Sequence, residues 1–332
     1  MRQRWITWCL IALVAGAAAG YAAFKLSPWP SVMLIRFAFD MDAAARNRAL
    51  ERHLPGKVTE WRDQRYGQSS DALFDIFLPS DADATSKPLP MIVWIHGGGF
   101  VAGNKADTVG YLRILAAGGY AVVGIGYSTA PGARYPTPVV QANEALAFLV
   151  ANAGRWPIDR SRIFLAGDSA GAQIAAQLAA AIGGPGYAAS IGIAPAIEPG
   201  ALRGIVLFCG VYDASAIDLD GGFGWFIRTV LWSYLGTRDY AGDPRLAEFS
   251  VARHLSPRFP PAFVSVGNAD PLAPQSVMMA EAIRAQGVAV DTLFFPAGHS
   301  PPLPHEYQFN LDEQAGRQAL ERLGTFLAGS AR

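Results

Sequence analysis

The chain has 332 residues, 51% apolar and 16% charged, with 27 basic residues balanced by 27 acidic ones. That length admits one large or two ordinary domains, and the scattered, balanced Lys and Arg offer no basic surface for a nucleic acid. The two cysteines, Cys9 and Cys209, lie in separate apolar runs with no C-x-x-C or His/Cys cluster nearby, so neither a disulfide nor a metal site is expected.

The N-terminus carries an address. Arg2 and Arg4 precede an uncharged run from Trp5 to Phe24, which Lys25 ends. As a helix of about 20 residues it would span roughly 30 Å, the thickness of a bilayer core. An uncleaved membrane anchor is the preferred reading. A cleaved signal peptide is the alternative, because Ala17–Ala19 and Tyr21–Ala23 offer small residues for cleavage. The anchor would leave the globular part membrane-bound outside the cytoplasm, and cleavage would leave it secreted. Ser27–Pro30 breaks the helix. From Ser31 to Leu54 the apolar spacing predicts one or two amphipathic helices, which would lie on a membrane surface, cover a pocket, or simply pack against the domain. The division expected is 1–26 for the anchor or signal, 27–57 for a helical cap or linker, and 58–332 for the main domain, with a cap insert at about 214–260.

Thr59–Tyr66 and Leu73–Leu78 read as antiparallel strands around a turn at Gly67–Asp71. Ser80–Pro90 is a polar loop. Largely apolar runs at Met91–Ile95, Ala121–Tyr127, Arg162–Ala166, Gly204–Cys209, Ala262–Gly267 and Ala289–Phe295 read as strands. Helical patterns end near Gly118 and cover Val139–Ala153, Ala172–Ile182, Pro274–Gln286 and Glu313–Leu327. Phe223–Leu235 is rich in aromatics, and a loop is expected from there to Pro261. Continuous apolar strands alternating with helices predict an α/β fold: a mostly parallel sheet covered on both faces.

The chemistry starts at Gly167-Asp-Ser-Ala-Gly171, between a strand pattern and a helix pattern. A turn this tight leaves no room for side chains two residues before and after Ser169, and it pushes the hydroxyl above the sheet. A serine hydroxyl needs a base, and the base needs an orienting acid. Such groups come from the carboxyl ends of the strands. Asp270 follows one strand, and His299 and His305 follow the last. His96-Gly-Gly-Gly-Phe100 directly follows Met91–Ile95, and its glycines let backbone N–H groups approach a ligand closely. Asp213 also follows a strand and is a rival acid. Asp168 is expected to stabilise the turn and His96 to fix its loop, while His53 and His254 read as surface residues.

HGGGF, GDSAG, Tyr127-Ser-Thr-Ala-Pro131, Tyr135-Pro-Thr-Pro138, Asp270-Pro-Leu272 and a late histidine occur in that order. Over roughly residues 58–330 the chain resembles the hormone-sensitive-lipase-like carboxylesterases. The resemblance implies an α/β-hydrolase fold with a helical cap. It also implies Ser169 as nucleophile, Asp270 as orienting acid, and Gly98, Gly99 and Ala170 as oxyanion-hole donors. For the base, His305 is preferred because Glu306-Tyr-Gln-Phe309 follows it in the family's manner, with Ser300–Pro304 as an insertion. His299 is the alternative. Ser128 departs from the family, which more often has Arg after the tyrosine.

Trp225, Phe226, Trp232 and Tyr234 are candidates for an apolar acyl pocket or for ordinary packing. The function expected is serine hydrolysis of small or lipid-like carboxylic esters without a cofactor. Amide or acyl-transfer chemistry on the same triad, and a catalytically dead membrane-anchored binding protein, are the alternatives.

Overall fold

The computed structural model describes residues 2–82 and 87–331. Met1, Arg332, the side chains at positions 2 and 3, and the stretch 83–86 of the expected polar loop lie outside the described residues. Helix α1 (Arg2–Leu26) is unburied from Arg4 onward, and its Arg4–Leu26 segment is long and apolar enough to cross a membrane or to serve as a signal sequence. α2 (Trp29–Leu50) begins beyond the Ser27-Pro28 break, with Pro30 in its first turn, where proline's missing N–H costs nothing.

Then follow β1 (Val58–Arg65), β2 (Leu73–Pro79), β3 (Leu89–Ile95), α3 (Val109–Ala117), β4 (Ala121–Ile125), α4 (Thr137–Ala151) and β5 (Ile158–Asp168). The second half holds α5 (Ala170–Gly183), α6 (Pro185–Ser190), β6 (Leu202–Phe208), α7 (Gly224–Leu235), α8 (Arg245–Phe249), β7 (Ala262–Val266), α9 (Ala273–Ala285), β8 (Val290–Phe294) and α10 (Gln314–Ser330). The eight strands form one sheet in the order β1-β2-β4-β3-β5-β6-β7-β8. β2 pairs antiparallel with β1 and β4, and the other neighbours are parallel.

Successive strand side chains point to opposite faces, and both faces are covered. Met91, Val93 and Ile95 of β3 join Ile163 and Leu165 of β5 in one core with α4, α5 and α9. Ile92, Trp94, Phe164 and Ala166 face a second core with α3 and α10. This two-sided burial is why these strands read as unbroken apolar runs.

Two expectations need correction. The stretch before Pro261 is not a loop throughout: α8 and a 3₁₀ turn at Val251–Arg253 interrupt it. α6, which starts at a proline after Gly184, was not anticipated. Cys9 and Cys209 are both free, the first exposed and the second buried.

Candidate active site

β5 runs directly into α5 through Ser169, whose φ of 51° is rare for a residue with a side chain. Such a conformation costs about 1–3 kcal/mol and persists only where its surroundings hold it. Here Ser169 N–H donates to the Phe208 carbonyl at 2.8 Å, and the Ser169 carbonyl accepts Gln173 N–H at 3.2 Å. The flanking glycines are required by space. A Cβ on Gly171 would lie 1.9 Å from the Ile95 carbonyl oxygen, and one on Gly167 would lie 2.5 Å from the Gly171 carbonyl carbon. α5 therefore sits hard against the end of β3, with Ser169 raised at the carboxyl edge of the sheet.

Three side chains meet at that edge. His305 Nε2 is 3.0 Å from Ser169 Oγ, and His305 Nδ1 is 2.7 Å from Asp270 Oδ2. The other Asp270 oxygen accepts Leu272 N–H at 2.7 Å, and the carboxylate is fully buried. The His305 loop is brought there by a close crossing. A Cβ on Gly267 would lie 2.3 Å from the Leu303 carbonyl oxygen. Leu303 binds back on both sides, accepting Ala269 N–H and donating to Asn268 Oδ1. His299 is not part of this group: its ring packs on Phe295 at 4.8 Å, and its carbonyl accepts Asn268 Nδ2. Asp213 is not part of it either. Arg253 and Ser215 hold its carboxylate, so that despite burial its pKa lies below the ordinary aspartate value.

Burial works against a charged His305, yet Cys209 and Asp270 raise its pKa well above the ordinary histidine value. Burial pushes the Cys209 thiol itself up to about 11, so at neutral pH it is an uncharged neighbour. Asp270 is then the anion that sustains the imidazolium. Donor atoms of Cys209, Asp270 and His305 lie within 4.8 Å of one another, the spacing of a small metal site. The His and Asp atoms already serve each other, and a protonated thiol is a poor metal ligand.

The loop after β3 closes over the serine. Gly98 (φ 113°), Gly99 (φ 59°) and Phe100 (φ 62°) are all left-handed. Gly99 is also constrained by space, since a Cβ there would lie 2.8 Å from Phe226 Cζ. His96 stacks on Tyr127 at 4.3 Å and bonds the Gly97 carbonyl through Nδ1 at 2.7 Å; burial lowers its pKa to about 4, so it is a neutral loop-fixing group. Asp168 accepts Trp94 Nε1–H at 2.7 Å and Gly97 N–H at 2.8 Å, tying the serine turn to the glycine loop.

A cavity of ≈ 70 Å³ touches Ser169, His305, Gly99 and Ala170, with Phe39, Phe223 and Phe226 among its apolar walls. Of the aromatics proposed for an acyl pocket, Phe226 lines this cavity. Trp225 and Trp232 do not: they line a separate cleft with Tyr21, Phe24 and Lys25 of α1. The period of α7 is the reason, because Phe226, Ile227, Val230 and Leu231 share one side while Trp225, Arg228, Thr229 and Trp232 share another. Tyr234 is fully buried, stacked on Phe100 at 4.3 Å.

Sequence reasoning missed a buried charge cluster behind Ser169, His305 and Asp270. Arg46 of α2 pairs with Glu306, the residue after His305, and its guanidinium lies 4.9 Å over the Phe309 ring. Burial pushes the Glu306 pKa up, but Arg46 and His305 outweigh it and hold it below the ordinary glutamate value. Burial and the charge of Glu306 raise the Asp168 pKa well above its ordinary value. Adjacency to Ser169 and His305 was the only sign in the sequence. His53 and His254 also have partners, Asp312 and the Ala247 carbonyl.

A family model described as the alpha/beta hydrolase fold matches residues 92–300, more than half of the chain. The chain belongs to this α/β-hydrolase family, which includes the hormone-sensitive-lipase-like esterases. The hydrolase is 30% identical over 251 residues to carboxylesterase NlhH of Mycobacterium tuberculosis, covering 70% of this chain and 72% of that one. It is 27% identical over 263 residues to an esterase of Gibberella moniliformis, covering 73% and 75%. Its structure is similar to that of esterase B from Lactobacillus rhamnosis, with a TM-score of 0.75 at 25% identity over 91% of this chain and 96% of that one.

Proposed function

We propose that this α/β-hydrolase is a serine carboxylesterase in which Ser169 attacks the ester carbonyl, His305 is the base and Asp270 orients it. The hydrogen-bond relay from Ser169 Oγ through His305 to Asp270 carries the reading. With Nδ1 protonated and donating to Asp270, Nε2 is free to take the serine proton as the C–O bond forms. Negative charge then develops on the former carbonyl oxygen. The N–H groups of Gly98, Gly99 and Ala170 receive it, each typically worth about 3 kcal/mol in the transition state. His305 returns its proton to the departing alcohol. Water repeats the sequence, attacking the acyl-serine and releasing the acid. Besides the ester and water, the proposed chemistry needs no group outside the chain. The carboxylesterase relatives favour esters over amides or other acyl transfers.

The test is turnover of a short p-nitrophenyl ester by the intact chain and by Ser169→Ala, His305→Ala and His299→Ala. The first two are expected to lose activity by at least about 10³-fold, and His299→Ala to stay within about threefold, because that side chain reaches neither Ser169 nor Asp270. Unchanged activity in Ser169→Ala would refute the mechanism, and loss confined to His299→Ala would reassign the base.

A further inference from the structure

A surface helix is ordinarily apolar on the side it buries and polar on the other. α2 is apolar on both. Val32, Ile35, Ala43 and Leu50 are buried, and Phe39 on the same side lines the Ser169 cavity. On the opposite side Trp29, Met33, Phe37 and Met41 recur at every fourth position with Leu34 beside them, and these five are 43% to 67% exposed. Scattered exposed apolar side chains need no explanation, but a continuous row marks an interaction surface. Phe223 and Trp225, at the start of α7, are further large apolar side chains left exposed on the cap.

What covers this row is indicated by its position. It starts three residues beyond Leu26, the exposed last residue of the membrane-length helix α1. From Trp29 to Met41 it runs about 18 Å along the helix. Beyond Met41 that side continues as Ala45 and Arg48, so the apolar row is confined to the half of α2 nearest α1. Where α1 meets α7, a cleft of ≈ 450 Å³ brings Lys25, Arg228 and Arg238 together with Tyr21, Trp225 and Trp232. The Arg238 guanidinium lies 4.1 Å over the Trp232 ring, and Arg228 is paired with exposed Asp220. Tryptophan and tyrosine beside basic side chains are the composition of a membrane–water interface.

We propose that the outer face of α2 and the α1–α7 cleft rest in the interfacial layer of a lipid bilayer that holds α1. The lipid phosphates then lie beside Lys25, Arg228 and Arg238, and the outer row enters the acyl boundary. The Ser169 cavity, walled by Phe39, Phe223 and Phe226 from the same two helices, takes its substrate from that layer. The substrate class is an apolar acyl ester dissolved in the bilayer. The substrate half of this proposal rests on the esterase reading; the surface half does not.

The test uses the full chain with Cys9→Ser, reconstituted in vesicles of phosphatidylcholine and phosphatidylglycerol. An environment-sensitive fluorophore is placed at Met33→Cys or Phe37→Cys, with Glu321→Cys on exposed α10 as control. Brominated acyl chains are expected to quench the first two and not the third, and aqueous iodide the reverse. Equal iodide quenching at all three sites overturns the proposal. Protection from both quenchers at 33 and 37, with cross-linked dimers, also overturns it and assigns the face to a second copy of the chain. In parallel, Met33→Asp/Phe37→Asp should lower turnover of a vesicle-borne long-chain ester at least about tenfold, with a soluble short ester unaffected. Unchanged turnover of both esters overturns the substrate half. If the unsubstituted chain hydrolyses neither ester, the esterase reading fails, while the single-site quenching still decides the surface, as it does if the double variant does not fold.

Discussion

Replacing Asp270 by Asn keeps the shape of the side chain and removes its charge. Asp270 Oδ1 accepts Leu272 N–H at 2.7 Å in a fully buried setting, so the asparagine carbonyl takes that place and its NH₂ turns to His305 Nδ1. A ring nitrogen facing a donor must be unprotonated. The ring proton then sits on Nε2, 3.0 Å from Ser169 Oγ, where the nitrogen can no longer accept the serine proton. The imidazolium that forms during attack also loses its anion. In the serine-protease triad the same change lowers kcat by about 10⁴, which corresponds to roughly 5–6 kcal/mol of transition-state free energy. A loss of that order is expected in kcat for a p-nitrophenyl ester, with KM within about threefold because Asp270 is remote from the substrate. The pH profile supplies a second readout. In the proposed mechanism His305 works only when neutral, and its pKa lies well above the ordinary histidine value, so kcat/KM should fall as pH drops through that raised value. In Asp270→Asn the residual activity should show this acid limb at lower pH, since the charge favouring protonation is gone. A loss of less than about tenfold, or an acid limb that does not move, would refute Asp270 as the orienting acid.

Two further outcomes follow from the walls of the site. Ile217, Phe223, Ile227 and Leu272 separate the ≈ 70 Å³ cavity at Ser169 from a neighbouring space of ≈ 490 Å³. Phe223→Ala should join them and shift the preferred p-nitrophenyl ester to acyl chains longer by about four carbons or more, as each buried CH₂ is worth about 0.8 kcal/mol; an unchanged chain-length profile refutes the partition. Glu306→Gln would leave Arg46 without its buried partner, at a cost of about 3–5 kcal/mol. A fall in Tm of about 10 °C is expected by calorimetry, and a shift under about 2 °C would show that the pair contributes little.

The sheet was legible because its central strands are buried on both faces. Met91–Ile95 and Ala262–Val266 are buried at every position, and the one polar residue among them, Ser265, is buried too. α8 was not, because five residues after Pro244 carry no helical period. In the site, GDSAG and the three glycines were legible because a Cβ at each of these glycines would run into neighbouring atoms. The choice between His299 and His305 was not. It depends on Leu303 crossing Gly267, a contact between segments that the sequence keeps about 36 residues apart. The tryptophans of α7 failed as pocket residues for a related reason. Their helical period shows which side chains share a face, but what each face meets is set by α1 and α2, some two hundred residues earlier.

α2 therefore cannot be treated as a linker that merely joins an anchor to an enzyme. Arg36 donates to the carbonyls of Val101 and Ala130, which fixes the chain just beyond the glycine loop. Phe39 walls the cavity and stacks against Phe226 at 6.2 Å. Arg46 neutralises Glu306 beside His305. The contacts fall at positions 36, 39, 43 and 46, the three- and four-residue steps of one helical face. One rigid element thus meets the glycine loop, the Ser169 cavity and the His305 loop together. A force or a surface that shifts α2 cannot act on one of the three alone, because a helix with its inner face packed moves as a body. The inner face makes these contacts on its own, so the alignment of His305 with Ser169 does not depend on what covers the outer row.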